Sequence, residues 1–422
     1  MRSPEWPPRQ PLPLPDAEDL AIVRSPTLRA SIAEVEAAVA RIYQASSGYN
    51  PKVTISYTAQ RYKQPLGVPF STTVFGRPQT IQAAPFTLSQ FEDELSLRQL
   101  ISDGGHIRQR ILQSVSAARA TYGELLWRVD QMRSQVREAF IDILEAEALL
   151  GVEAEAERVA REHLKLAEAS YKAGVTARAD ITFARTPVAR AETILASARN
   201  SVQLAQANLN RLMGVDPTRT VAIAKEIPID EPPGTLDDLR HLAQTGRPDL
   251  AARRDERDAL AHAWDAAKRE RAIKLEAVAG GRYVGYTTDE ALPQHQGWSA
   301  GLYASYPLVD GGIINARIAE ARALEQGAEA RVDTLAREVD AQVVDAWLRL
   351  QTARERSKLS AAEVADAAEG MAVAEGQYKA GVNTILNVLD TQVAYTRARA
   401  GQVRADYDVK RALTRLNLAI GR

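Results

Sequence analysis

An internal repeat limits what this chain can fold into more than any other feature. Two nine-residue segments, Ala167–Val175 and Ala374–Val382, lie 207 positions apart and are identical at seven positions. The same offset relates Asp103–Gly105 to Asp310–Gly312. One register held without a gap from residue 103 to 421 predicts a duplicated unit whose elements match in length.

Composition excludes several classes of function. The 422 residues carry a net charge of -1 and no cysteine, which gives a nucleic-acid partner no support and excludes thiolate metal sites and thiol nucleophiles. The five histidines are scattered, and we find no metal-ligand pairing, catalytic triad or phosphate-binding loop. We therefore predict a protein that is not an enzyme and needs no cofactor or metal.

Hydropathy gives no transmembrane helix, because no apolar run reaches eighteen residues. The first residues, Met1–Pro8, lack the apolar core of a secretory leader. We expect either a cytoplasmic protein or a chain whose leader is absent from this sequence.

The periodicity predicts four segments in chain order. They are a proline-rich lead-in (1–15), a first repeat (16–214), a linker (215–246) and a second repeat (247–422). Each repeat reads as a helix, two strands and a long helical hairpin. The predicted strands cover about 53–60, 86–97, 274–286 and 297–306.

The first hairpin has a heptad seam, which predicts a coiled-coil partner. Apolar residues spaced four and three apart run from Ile111 to Ile143, and nothing breaks the helix before Gly174. A return helix is predicted from Ala179 to Met213, with a local bend at Pro187.

The offset between the repeats changes once along the chain. Pro26 and Leu28 match Pro248 and Leu250 at an offset of 222, whereas later residues match at 207. The first repeat therefore has fifteen extra residues, which we assign to a predicted loop at 63–85, since loops accept insertions more readily than packed elements do.

Two strands per repeat cannot form a stable sheet as separate hairpins. We therefore expect the four strands to close only with strands from other copies of the chain. Aromatic residues are concentrated around these strands, which is typical of a membrane-spanning barrel. An ordinary two-sided sheet packed on helices explains the same pattern.

With these features in place, the chain resembles the TolC-like outer-membrane efflux protein family over residues 16–421. The local motifs are Tyr306–Gly312 at a strand-to-helix junction and the paired Tyr-Lys-Ala-Gly-Val turns. The resemblance implies a mainly α fold with a small β part. It implies a homotrimer in outer-membrane lipid, with a twelve-stranded transmembrane barrel and an α-helical tunnel in the periplasm.

The resemblance also implies where partners dock. In this family the hairpin turns meet a periplasmic adaptor (membrane fusion) protein, which connects the duct to an inner-membrane pump of the RND or ABC type. The corresponding residues here are Ala173, Gly174 and Val175 in the first hairpin, and Ala380, Gly381 and Val382 in the second. The glycines also have a purely structural explanation, because they end a helix and reverse the chain.

Two further sites follow from the resemblance. Asn387 and Asp390 share a helix face and occupy the place of the pore gate, where three Asp390 carboxylates would repel one another and favour cations. Asp180 would hydrogen-bond Tyr378 and lock the closed turns, with Asn383 replacing the arginine that often strengthens this lock. An ordinary exposed carboxylate is the alternative for Asp390.

The predicted function is the passive exit duct of a tripartite efflux pump or type I secretion system, gated at the hairpin turns. Two alternatives stay open at this stage. One is a periplasmic adaptor, which usually has a single hairpin. The other is a cytoplasmic coiled-coil scaffold, which the missing leader would suit.

Overall fold

A computed structural model describes residues 11–64, 70–81, 86–174, 177–287 and 294–422. These ranges contain eight α-helices and six β-strands. In chain order the elements are α1 Leu14–Arg24, α2 Pro26–Ser46, β1 Lys52–Gln64, β2 Phe70–Val74, β3 Arg77–Ile81, β4 Phe86–Ser102, α3 His106–Lys172, α4 Arg178–Leu212, α5 Leu236–Gly246, α6 Pro248–Arg269, β5 Lys274–Thr287, β6 His295–Ser305, α7 Ile313–Lys379 and α8 Ile385–Ala419.

The predicted duplication is confirmed by the lengths and offsets of these elements. Helices α3 and α7 each have 67 residues, and α4 and α8 each have 35. Both pairs begin 207 positions apart, whereas α1 and α5, and likewise α2 and α6, begin 222 apart. The extra fifteen residues of the first repeat therefore lie after the start of β1 and before α3, as predicted.

The chain divides into two compact units. A helical unit combines Met1–Glu36, Arg119–Arg254 and Ala330–Arg422, and a sheet unit combines Ala37–Ala118 and Asp255–Glu329. All six described strands belong to the sheet unit. Among the described residues, no helix is both long enough and apolar enough to cross a lipid bilayer.

The helical unit has two hydrophobic clusters built from equivalent residues of the two repeats. The first centres on α1, α3 and the end of α4, and the second on α5, α7 and the end of α8. Their repeat-related members are Val136 and Val343, Ala139 and Ala346, Ile143 and Leu350, Leu209 and Leu416, and Ala21 and Ala243. Equivalent apolar side chains therefore fix equivalent helix packing.

The sheet unit holds one four-stranded antiparallel sheet in the order β1-β4-β5-β6. The central pair, β4 and β5, joins the first repeat to the second. All four strands pair within one chain but form an open sheet, so our expectation that the sheet closes only with strands from other copies stays a prediction. In the described part of the chain, no strand pairs with the outer edge of β1 or of β6.

The prediction of a loop at 63–85 is wrong in part, because this segment contains a second, two-stranded sheet. Strands β2 and β3 pair from Phe70↔Ile81 to Val74↔Arg77. Phe75 and Gly76 form the turn with φ values of 50° and 79°, as two-residue hairpins require. The polar composition concealed these strands, since their pairing depends on backbone hydrogen bonds rather than on alternating apolar residues.

The four-stranded sheet has one apolar and one polar face. Residues directly opposite on neighbouring strands share a face, and one row across the sheet consists of Ile55, Leu95, Gly281 and Trp298. Ile55 is 78% exposed and Trp298 85% exposed. The other exposed apolar side chains of this face are Val53, Tyr57, Phe91, Leu97, Tyr283 and Leu302.

Each strand-to-helix junction has the same aspartate cap. Asp103 accepts hydrogen bonds from the backbone N–H groups of Gly105 (2.9 Å) and Ile107 (2.7 Å). Asp310 does the same for Gly312 and Ile314, both at 2.9 Å. These bonds satisfy donors that a helix leaves free at its first turn, which explains why the repeat holds this motif in register.

Two smaller differences concern the ends of helices. Helix α1 begins at Leu14, inside the predicted lead-in, because the first turn of a helix tolerates proline. Helix α5 occupies the last part of the predicted linker and starts with a capping box made by Thr235 and Asp238. Pro187 lies within an uninterrupted α4, and the local bend expected there stays a prediction.

Candidate functional site at the hairpin turns

Both hairpin turns lie in the helical unit and reverse the chain at a glycine. Gly174 has a φ of 76° and Gly381 a φ of 74°. The Gly174 N–H donates to the Tyr171 carbonyl and the Gly381 N–H to the Tyr378 carbonyl, both at 3.0 Å. Only glycine adopts this left-handed backbone without strain, so the turns are equivalent in backbone as well as in sequence.

The candidate docking residues lie at the surface. Ala173, Gly174, Ala380 and Gly381 are all exposed, and the side chain of Val382 is 77% exposed. Val175, the sixth residue of the predicted set, lies outside the described residues. The structure therefore leaves five of the six residues accessible to a partner.

Tyr378 and Asp180, the predicted lock, lie close enough to interact electrostatically. The Tyr378 hydroxyl is buried and has no hydrogen-bond partner among the described residues. Burial raises the pKa of Tyr378, the negative charge of Asp180 raises it further, and Ser170 opposes the rise. The structure thus brings the two side chains into one neighbourhood without a hydrogen bond between them, and the lock stays a prediction.

The candidate gate residues lie in the first turns of α8. Asn387 is half-buried and Asp390 is exposed. The carbonyl of Asn387 accepts a hydrogen bond from the Thr391 hydroxyl at 2.9 Å. No basic side chain of the described residues forms an ion pair with Asp390.

Asn383, which stands where the resemblance expects an arginine, interacts only with its own turn. Its side-chain amide donates to Gln377 Oε1 at 2.8 Å, and its Oδ1 accepts from the Thr384 N–H at 2.8 Å. Both bonds stay within the second turn. Asn383 therefore shapes this turn and does not reinforce the Asp180–Tyr378 pair.

A cavity of about 410 Å³ lies beside the lock, lined by residues of α3, α7 and α8. His163 and Tyr378 line it together with Glu375 and Gln392. His163 is only 6% exposed, and its Nε2 has no hydrogen-bond partner in the described structure. Glu375 Oε1 lies 3.9 Å from that nitrogen.

His163 is not among the site residues predicted from the sequence, because the five histidines are scattered along the chain. Burial lowers the pKa of His163, nearby Lys379 adds to this effect, and Glu375 and Glu162 oppose it. One signal was available: Ala160, His163 and Ala167 are spaced three and four apart and are all buried, which places the histidine on the packed stripe of α3.

The described residues contain no group of three or more histidine, aspartate or glutamate side chains suited to hold a metal ion. The chemistry of this region is that of charge and hydrogen bonding.

Comparison with known proteins identifies relatives along almost the whole chain. The family model described as outer membrane efflux protein matches residues 18–215 and 239–422. Protein CyaE of Bordetella pertussis is 27% identical over 401 residues, which cover 93% of this chain and 80% of that protein. Outer membrane efflux protein BepC of Brucella suis is 22% identical over 387 residues, covering 90% of this chain and 78% of that protein.

The fold is also similar to that of solved structures. The outer membrane protein VceC of Vibrio cholerae superposes with a TM-score of 0.78 at 19% identity, and the match covers 97% of this chain and 96% of VceC. At this identity the match concerns the fold alone. The match extends to both repeats, as the coverage requires.

Proposed function

This chain belongs to the outer membrane efflux protein family, and from that premise we propose that three copies assemble into one passive exit duct. Membership places the chain in the outer membrane of a Gram-negative bacterium and makes it a channel protein. It also decides against the two alternatives that the sequence left open, a periplasmic adaptor and a coiled-coil scaffold.

The observation that carries the proposal is the unfinished sheet. Its apolar face is exposed, and the outer edges of β1 and β6 lack a partner strand in the described part of the chain. An open edge beside lipid leaves backbone groups unsatisfied, whereas a closed barrel satisfies all of them. Pairing of β6 with β1 of the next copy closes twelve strands around three chains and turns the apolar face towards lipid.

We propose that the hairpin turns form the gate and its docking surface. Asp390 forms no ion pair with a basic side chain of the described residues, so three copies would concentrate negative charge around one axis and favour cations. Asn387 adds no charge to that ring. The exposed residues of the two turns then receive a periplasmic adaptor, and the adaptor links the duct to an inner-membrane pump of the RND or ABC class.

Assembly and conduction are tested together. We expect the detergent-purified protein to have the mass of three chains, measured by size-exclusion chromatography with light scattering. In planar lipid bilayers it should form ion-conducting channels. A stable monomer in plain buffer, with no channel activity, would overturn the proposed duct.

The lock is tested by removing one hydroxyl. Tyr378→Phe deletes the group that would bond Asp180, so we expect the open probability of single channels to rise. Tyr171→Phe is the matched control, because Tyr171 is the repeat-equivalent tyrosine of the first turn and is exposed. Unchanged conductance and gating in Tyr378→Phe would show that no such lock exists.

Docking is tested at the surface of the second turn. Val382→Glu introduces a charge where an apolar side chain is exposed, and we expect it to weaken cross-linking to the adaptor in intact cells while the trimer persists. Val393→Glu, on an exposed position farther along α8, serves as the control. Equal cross-linking in wild type and Val382→Glu argues against docking at this turn.

A further inference from the structure

Three basic side chains meet at the helix-proximal ends of the strands, on the polar face of the four-stranded sheet. Lys52, Arg98 and Lys274, which we name the strand-base cluster, line a cavity of about 360 Å³. The one acidic side chain in its lining is Glu276. All three bases are exposed, so they are accessible to a ligand.

The duplication places two of these charges. Lys52 is the first residue of β1 and Lys274 the first of β5, and they lie 222 positions apart, the offset that relates the first strands of the repeats. Arg98 lies between them on β4, directly opposite Lys52. Each repeat therefore contributes a lysine at the same point of its first strand.

This arrangement is unfavourable for folding by itself. Like charges directly opposite on neighbouring strands destabilise a sheet. Among the described residues, no carboxylate comes within ion-pair distance of Lys52 or Arg98. Only Lys274 is compensated, by the buried Glu276 at 3.0 Å.

Farther along the strands, carboxylates compensate the positive charge on the polar face. Arg282 pairs with Glu92 at 2.6 Å, and Glu94 lies opposite Arg282. The positive excess is therefore confined to the strand bases. Accessible positive charges that have no ion-pair partner within the chain indicate a counterion from outside it, and that counterion is an anion.

We propose that the strand-base cluster forms an anion-attracting belt inside the duct, which favours the passage of solutes bearing carboxylate or phosphate groups. The inference rests on the proposed trimer, in which the apolar face meets lipid and the polar face lines the lumen. Three copies then place nine basic side chains around one cross-section, and six of them have no ion-pair partner among the described residues. Charged walls of low dielectric concentrate ions of opposite sign and raise their local concentration about tenfold or more.

The test is the ion selectivity of the reconstituted channel. The reversal potential in a KCl gradient gives the permeability ratio of chloride to potassium. We expect the combined variant Lys52→Gln, Arg98→Gln and Lys274→Gln to lower that ratio by about threefold or more relative to wild type. In this measurement the protein with the three bases intact and the combined variant both carry Asp390→Asn. The proposed gate charge then does not dominate the permeability ratio.

Two controls locate the effect. Arg61→Gln with Lys63→Gln removes charge from the same strand β1, but from positions whose alternation puts them on the opposite face, and should leave the ratio unchanged. Lys52→Arg with Lys274→Arg retains the charge and should retain the wild-type ratio. Inorganic tripolyphosphate should reduce the current of wild type at lower concentrations than that of the neutralised variant.

The outcomes separate the two levels of inference. Channels whose permeability ratio is the same in wild type and in the neutralised variant would overturn the belt and leave the duct intact. An equal change in the Arg61 and Lys63 control would also overturn it, because the effect would then be one of overall charge. Absence of trimers and channels in the wild type would instead overturn the proposed function, and the belt with it.

Discussion

The two repeats have the same backbone fold and equivalent hydrophobic clusters, but their helices are held by different polar side chains. At the junction before the second helix of each repeat, the first repeat has Ser25 and the second has Arg247. On the return helices, exposed Leu204 corresponds to Arg411. On the long helices, buried His163 corresponds to Gly370. Duplication thus preserved the apolar packing and the aspartate caps, while these three positions diverged.

The largest difference lies at Arg247. Its guanidinium is 2% exposed, forms two bonds to Asp249 at 3.0 and 2.6 Å, and donates to the Ala419 carbonyl at 3.2 Å. It also stacks on the Trp127 ring, 4.4 Å from the centroid. Ser25 only caps its helix, accepting from the Leu28 N–H at 3.3 Å.

We therefore expect Arg247→Met to cost about 3 kcal/mol of unfolding free energy, because it leaves the half-buried Asp249 carboxylate without its arginine partner. Ser25→Ala, the equivalent change in the first repeat, should cost only about 1 kcal/mol. Urea denaturation followed by circular dichroism measures both. Similar losses would mean that the two junctions are held in the same way.

A second test concerns Arg411, which bonds Asp142 at 2.9 Å and also pairs with Glu145 and Asp408. Arg411→Leu introduces the residue type of the first repeat and leaves three carboxylates without their arginine partner. We therefore expect the free energy of unfolding to fall by about 2 kcal/mol. Leu204→Ala should change stability by about 0.5 kcal/mol or less, since that side chain is exposed. A negligible effect of Arg411→Leu would show that the ion-pair network contributes nothing.

The hairpin turns should show no difference between the repeats. Gly174→Ala and Gly381→Ala each force a side chain into the left-handed backbone region, with no neighbouring atom within 4 Å, so both should cost about 1 kcal/mol. Gly376→Ala is the control, since Gly376 lies within α7 and alanine should stabilise the helix there by about 0.5–1 kcal/mol. Unequal losses at the two turns would contradict their equivalence.

The smallest expected effect concerns pH. The pKa of His163 is lowered from its ordinary 6.5, mainly by burial. Neutral His163 therefore stabilises the native state above pH 6.5, and this contribution is lost as the pH falls through the lowered pKa. The second repeat has glycine at this position and lacks such a group.

We expect the melting temperature of the wild type to fall more between neutral and mildly acidic pH than that of His163→Gln. Glu375, Glu162 and Lys379 face the same imidazole, so the comparison is made at pH values above the range in which glutamates are protonated. Parallel melting curves for the two proteins would exclude His163 as the source of the pH dependence.

The sequence sufficed for features that depend on apolar periodicity and on the repeat. The bounds of the long hairpin helices, the equivalence of the two clusters and the position of the fifteen-residue insertion all follow from patterns in one chain. The β2–β3 hairpin did not, because backbone pairing holds its polar strands together. The partners of Arg247 and the approach of Glu375 to His163 depend on helices distant in the chain, which periodicity along a single helix does not bring together.

The extra hairpin of the first repeat, from Phe70 to Ile81, has a practical consequence. The first repeat has fifteen more residues than the second between the start of its first strand and its long helix. The strands on either side of both connections pair in one sheet, so the shorter connection after Thr287 is a suitable place to insert an epitope. A tag inserted there should be accepted without loss of expression. Antibody staining of unpermeabilised cells would then show whether this end of the protein is exposed at the cell surface.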